Sequence, residues 1–231
     1  MPARPALVLI PGIGGHPRFH EGFVRLLSAT HEVHSAPHVD FHEAPCGDWG
    51  RHVRHWVRQV ERAGRPVALV GVSFGAHVAI DVRRRLPRAM VGAVVLVSHW
   101  PLTPWQRAAL RAVRRLRGPG PRLAGEVFFR WSERQSADVA GLRALRAELY
   151  DDEGLVRRRL FARLTSLADA PELTAVDAAH VAHVYGDGEL ARRKMPAGAT
   201  VVTGDHSVSL HGTAELAAAV RGLTVDRGRS A

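Results

Sequence analysis

Val67-Ala68-Leu69-Val70-Gly71-Val72-Ser73-Phe74-Gly75-Ala76-His77 decides how this chain is read. Its first half is a continuous apolar run, the pattern of a strand buried on both faces. Its second half opens a helix that the pattern carries from Ala76 to Leu86, where Pro87 ends it. Ser73 stands at the junction, with Gly71 and Gly75 two residues to either side. A serine in so tight a strand-to-helix turn is held in a strained backbone conformation, and its neighbours must be small for the chain to fold back. The turn lifts Oγ clear of the sheet. It also puts the Phe74 N–H at a helix N-terminus, where a developing negative charge is stabilised. The bland alternative is a glycine-rich turn with a capping serine.

The same alternation extends outward. Ala6 to Ile10 and Met90 to Val97 read as buried strands, and Glu32 to Ala36 as a weaker one. Phe23 to Ser28 has helical spacing. Asp48 caps a helix that carries Trp49, Val53, Trp56, Val57 and Val60 on one face and stops at Gly64. After Pro101 the strand signals cease. Pro104 to Arg117, Asp138 to Tyr150 and Leu155 to Ala168 read as helices, and Pro104 to Arg117 has Trp105, Ala109, Ala112, Val113 and Leu116 as its apolar side. Strands resume at His180 to Tyr185 and Thr200 to Thr203, and Thr213 to Leu223 closes the chain. The expectation is an α/β three-layer sandwich: a mostly parallel sheet of about six strands, with helices on both faces.

Composition bounds the rest. The chain has 231 residues, 46 % hydrophobic and 23 % charged, which describes an ordered globular protein and excludes a disordered one. One cysteine, Cys46, excludes an internal disulfide framework and a multi-cysteine metal site. No apolar run is long enough to span a membrane, and Ala6 to Ile10 is too short for a signal-peptide core, so a cytoplasmic location is expected. The net charge of +10 invites a polyanion-binding reading. Lys194 is the only lysine and asparagine is absent, however, as in proteins of GC-rich genomes. Residues 104–163 hold 14 arginines against 7 acids, so most of the excess lies in one stretch. Nucleic-acid binding would need aromatic residues or a reading helix beside that charge, and none stands out.

A serine nucleophile requires a base and an orienting acid, in the chain order Ser, acid, His for this kind of fold. His206 follows the strand Thr200 to Thr203, at the sheet edge where ligands bind. His211 falls where the last helix starts. The acid is sought after His180 to Tyr185, where Asp187 and Glu189 are both eligible; Asp205 is too close to His206 in sequence. A second oxyanion donor is expected from Pro11-Gly12-Ile13-Gly14-Gly15-His16, with the Ile13 N–H as the candidate. No cofactor or metal is implied, since His16 and His20 with His31 or His34 lack a compact carboxylate partner.

With Leu9-Ile10-Pro11-Gly12-Ile13-Gly14-Gly15, Gly71-Val72-Ser73-Phe74-Gly75, Tyr185-Gly186-Asp187-Gly188-Glu189 and Gly204-Asp205-His206, the chain resembles the α/β-hydrolase superfamily. Within it the chain is similar to small esterases and thioesterases, including stand-alone thioesterases of polyketide and peptide biosynthesis. The resemblance implies a core of residues 1–100 and 178–231 with a helical lid at 101–177. It implies a triad of Ser73, His206 and Glu189 or Asp187, with Ile13 and Phe74 in the oxyanion hole. The family's acid loop, Gly-x-x-Asp, aligns on Glu189. Gly12, Gly14, His99, Trp100 and Trp105 are candidates to line the substrate site.

The implied substrate is a small-molecule acyl ester or thioester, cleaved through an acyl-enzyme. The six arginines between Arg107 and Arg122 read either as a solvated face or as a basic lid that attracts an acidic carrier protein or coenzyme A. Two alternatives stand beside hydrolysis. One is a non-hydrolytic biosynthetic step such as cyclisation, acyl transfer or elimination; the other is a ligand-binding protein without catalysis.

Overall fold

The structure, a computed structural model, describes residues 4–41, 47–115, 123, 126–127, 130, 139–150, 153–174, 177, 180–189, 195–204 and 213–228. His206, with Asp205 and His211, lies outside the described residues, as do Cys46 and Leu116.

Six strands form one sheet: β1 (Ala6–Ile10), β2 (Glu32–Ser35), β3 (Val67–Val72), β4 (Val91–Val97), β5 (Val181–Gly186) and β6 (Thr200–Val202). Every pairing is parallel, in the order β2-β1-β3-β4-β5-β6. The expected three-layer arrangement is present. Parallel strands need crossovers, and the helices that supply them cover both faces. Period-two alternation sorts the strand residues. Val8, Ile10, Leu69, Val94 and Leu96 face α2 (Trp49–Arg62) and α3 (Phe74–Arg85). Leu7, Leu9, Val70, Val95 and Val97 face α1 (Glu21–Ser28) and the closing helix, Ala214–Gly228.

The chain leaves β1 toward β2 on one side and returns to β3 on the other. The direction of winding therefore reverses between β1 and β3, so their carboxyl ends open a crevice. The loop Pro11–Gly15 and the turn at Ser73 stand at those two ends. Among the described residues, no helix is long and apolar enough to cross a membrane.

Between β4 and β5 the described chain is helical: α4 (Pro104–Arg115), α5 (Val139–Leu149), α6 (Glu153–Ser166) and a 3-10 turn, Leu167–Asp169. The apolar side expected for α4 is not the buried one. Of that side Trp105 is 69 % exposed, Ala109 and Ala112 are exposed and Val113 is half-buried, whereas Arg107 is 6 % exposed and Gln106 and Leu110 are half-buried. The 3-10 turn that follows α6 supplies the reason, because the carbonyls at its end have no donors within a helix. Arg107 donates to the Ala170 carbonyl, Arg111 donates to that of Ala168 at 3.1 Å, and Arg114 pairs with Asp169. These arginines, three and four residues apart, share a face and meet the negative end of a helix dipole. Their long stems pack while their heads bond. Three arginines of the basic stretch, Arg107, Arg111 and Arg114, therefore bond within the fold.

Candidate active site

Ser73 joins β3 to α3 with φ +51° and ψ −110°. A non-glycine residue held there costs about 1–3 kcal/mol, and it persists only where its surroundings dictate it. Here the Ser73 N–H donates to the Val97 carbonyl at 2.8 Å, and the Ser73 carbonyl accepts from the Ala76 N–H at 3.0 Å. The flanking glycines are compulsory. A Cβ on Gly71 would lie 2.5 Å from the Gly75 carbonyl oxygen, and one on Gly75 would lie 2.5 Å from that of Pro11. Phe74 is the first residue of α3, so its N–H has no intrahelical acceptor.

The Pro11–Gly15 loop lies directly against this turn. All five of its carbonyls are held. Pro11 accepts from His38 Nε2 at 3.0 Å, Gly12 from the Gly15 N–H at 2.9 Å, and Ile13 from Arg163 Nη1 at 2.7 Å. Gly14 accepts from the Tyr150 hydroxyl at 2.6 Å and Gly15 from the His38 N–H at 2.7 Å. The Gly12 N–H donates to His20 Nε2 at 3.1 Å. The N–H groups of Ile13 and Gly14 are left without an acceptor among the described residues, which is how a backbone cradle for an anion is built.

The tautomer of His38 follows from its partners. Trp56 donates to Nδ1 at 3.0 Å, so Nε2 carries the proton. Burial, reinforced by the charge of Arg163, holds this imidazole well below the usual pKa and keeps it neutral. Arg163 itself is fully buried beside Asp40, with Nε 2.9 Å and 3.1 Å from the two carboxylate oxygens.

Among the described residues the other non-glycine with positive φ is also a serine: Ser98, at +54°, where β4 ends. It is fully buried, and its N–H bonds to the Val184 carbonyl at 2.9 Å. Its hydroxyl donates to Glu189 Oε1, which also accepts from the Gly186 N–H at 3.1 Å.

The two candidate acids therefore occupy different surroundings. Glu189 is 4 % exposed and fastened to the ends of β4 and β5. Asp187 is exposed, and its carboxylate accepts from the Gly204 N–H at 2.9 Å, joining the loops after β5 and β6.

His77, one turn after Ser73, packs on His99 with ring centroids 4.6 Å apart, and His99 lies 5.7 Å from His183. Burial first, then the charge of Arg107, lowers the pKa of His77 to about 4. Burial also pushes His99 down, with His77 and His183 adding to the effect. Among the described residues, no group of three or more His, Cys, Asp and Glu is arranged to hold a metal ion. Trp100, next to His99 in sequence, is half-buried, and Trp105 is exposed on α4. Gly12 and Gly14 both sit in the carbonyl-bound loop, where a Cβ on Gly14 would meet the Phe19 ring at 2.8 Å.

Sequence reasoning missed Ser98, His38, Asp40, Tyr150 and Arg163. Ser98 lacks flanking glycines, and the others meet the loop only through the tertiary fold.

A family described as "Alpha/beta hydrolase family" is matched over residues 7–224. No curated protein matches the chain. Among solved structures, a thermophilic esterase from Thermogutta terrifontis is similar at 15 % identity and a TM-score of 0.72, over 98 % of this chain and 91 % of that one. A bromoperoxidase from Bacillus anthracis is similar at 14 % identity and 0.68, over 97 % and 92 %. The enzyme 1H-3-hydroxy-4-oxoquinoline 2,4-dioxygenase is similar at 20 % identity and 0.66, over 96 % and 92 %. At such identities the likeness shows a shared fold.

Proposed function

The chain belongs to the alpha/beta hydrolase family, and we propose that it is a serine hydrolase acting on a small-molecule acyl ester or thioester. Family membership and an esterase of the same fold support an enzyme. The observation that carries the reading is the strained Ser73 turn set against a loop whose carbonyls are all tied back.

Ser73 Oγ attacks the acyl carbonyl, and His206 takes its proton and returns it to the leaving group. The N–H groups of Ile13 and Phe74 receive the oxyanion. Water then releases the acyl group from Ser73. Glu189 is the acid that orients His206: its burial and two donors fix its position, whereas Asp187 serves as a loop brace. Residues 1–100 and 178–231 form the core, and 101–177 form a lid that sets the acyl pocket with His99 and Trp100. The protein works in the cytoplasm. Delivery by an acidic carrier protein or coenzyme A would draw on fewer arginines than the sequence offers, because Arg107, Arg111 and Arg114 bond within the fold.

A fluorophosphonate probe tests the reading. It labels the wild-type protein and fails to label Ser73→Ala; a wild-type protein that resists labelling overturns it.

A further inference from the structure

The loop after β1 contains one continuous, directed path of hydrogen bonds. The Tyr150 hydroxyl donates to the Gly14 carbonyl. The other end of that peptide, the Gly15 N–H, donates to the Gly12 carbonyl. The other end of the Gly12 peptide is the Ile13 N–H, which has no acceptor among the described residues. Every dipole in the path points the same way, and hydrogen bonds so arranged polarise one another. Arg163 acts on the peptide between, because its bond to the Ile13 carbonyl fixes the plane that carries the Gly14 N–H. It also brings a fully buried positive charge to the back of the loop, where Asp40 anchors it.

Two further features commit the loop to this arrangement. Gly15 has φ +78°, and a Cβ there would collide with the Arg163 guanidinium, so the arginine fills the space that glycine leaves. The Tyr150 ring is seated 4.6 Å from that of Phe41, within a cluster that also holds Phe19, Val156 and Leu160. Burial raises the Tyr150 pKa, which keeps its hydroxyl a donor.

We propose that Tyr150 and Arg163, both supplied by the chain between β4 and β5, are positioning residues for the oxyanion donor at Ile13. The proposal rests on the hydrolase reading above. It makes this segment part of the reaction centre's support as well as its cover: Tyr150 polarises and aims the Ile13 N–H, and Arg163 locks the adjoining peptide.

Tyr150→Phe removes one hydroxyl and keeps the ring. With p-nitrophenyl acetate, kcat falls about tenfold while KM stays within twofold, since the lost interaction matters only once the oxyanion forms. Affinity for a trifluoromethyl ketone, which makes a tetrahedral adduct with Ser73, falls by the same factor. The thermal midpoint moves little. Arg163→Lys, which keeps the charge and one donor, recovers part of the kcat lost in Arg163→Met. Tyr150→Phe decides the matter should Arg163→Met fail to fold.

A Tyr150→Phe enzyme with kcat within twofold of wild type overturns the proposal alone, provided Ser73→Ala abolishes turnover. A kcat loss without the matching loss of ketone affinity also overturns it. Full activity in Ser73→Ala overturns the hydrolase reading and this proposal with it.

Discussion

Two serines stand at neighbouring strand ends, both with φ near +50°, and they use the same backbone device for opposite ends. Ser73 leads into a helix between two glycines, at the end of β3 beside the Pro11–Gly15 loop. Ser98 is fully buried, has Val97 and His99 as neighbours, and turns its hydroxyl to Glu189. The first corner is framed by glycines at a helix start, and the second fastens a buried carboxylate. Positive φ at a non-glycine residue thus marks two neighbouring strand ends whose conformation is dictated by their surroundings.

The widest separation between the two corners is expected in catalysis. Ser73→Ala lowers turnover of p-nitrophenyl acetate by at least about a thousandfold and abolishes probe labelling. Ser98→Ala lowers kcat by about 10–100-fold, because Glu189 loses the Ser98 donor while the proposed nucleophile survives. It is still labelled, more slowly. Equal losses in both variants would erase the distinction.

A second measurement uses the contact between the corners. His77 follows Ser73 by one turn and packs on His99, which follows Ser98. Burial and the charge of Arg107 lower its pKa to about 4, from an ordinary value of about 6.5 in the unfolded chain. Between those values the unfolded state binds more protons than the native state. Stability is therefore complete above about pH 6.5 and is lost as pH falls toward 4, with a contribution from His77 on the order of 3 kcal/mol. Urea denaturation at pH 7 and pH 4.5 shows a smaller gap in His77→Gln than in wild type. An unchanged gap would sever the link.

The smallest effect is a difference in stability between the two glycine variants. Ser73→Gly relieves strain and stabilises the fold by about 1 kcal/mol. Ser98→Gly gains the same relief but leaves buried Glu189 short of a donor, which costs about 1–3 kcal/mol, so it stabilises less or destabilises. Denaturant midpoints compare them directly. Matching gains would show that the Ser98–Glu189 bond contributes nothing to stability.

The sheet was legible because burial on both faces writes strands as apolar runs, as in Val67–Val72 and Val91–Val97. The Ser73 turn was legible because close backbone approach forces glycine at 71 and 75. The inward face of α4 was not, because arginine counts as polar in any periodicity while its stem and fork suit it to a buried helix end. Arg163 was hidden for a related reason. It is one of 14 arginines in its stretch, and its partners Asp40 and Ile13 lie 123 and 150 residues away in sequence. Ser98 carries no local mark, since its strain is imposed by Val184 and Glu189 across the sheet.

Gly75 lies so close to the ends of β1 that its backbone and the Pro11 carbonyl meet with nothing between them. A seam without side chains has no adjustable spacer, so repacking elsewhere cannot change the distance between the Ser73 turn and the Pro11–Gly15 loop. For the hydrolase proposed above, substitutions over the mouth of the site can then accumulate and redirect which acyl groups are accepted, while the geometry of this seam is inherited unaltered. Diversification of substrate range and preservation of the chemistry become separable tasks for selection, and for an engineer the first can be varied with 71–75 and 11–15 left alone.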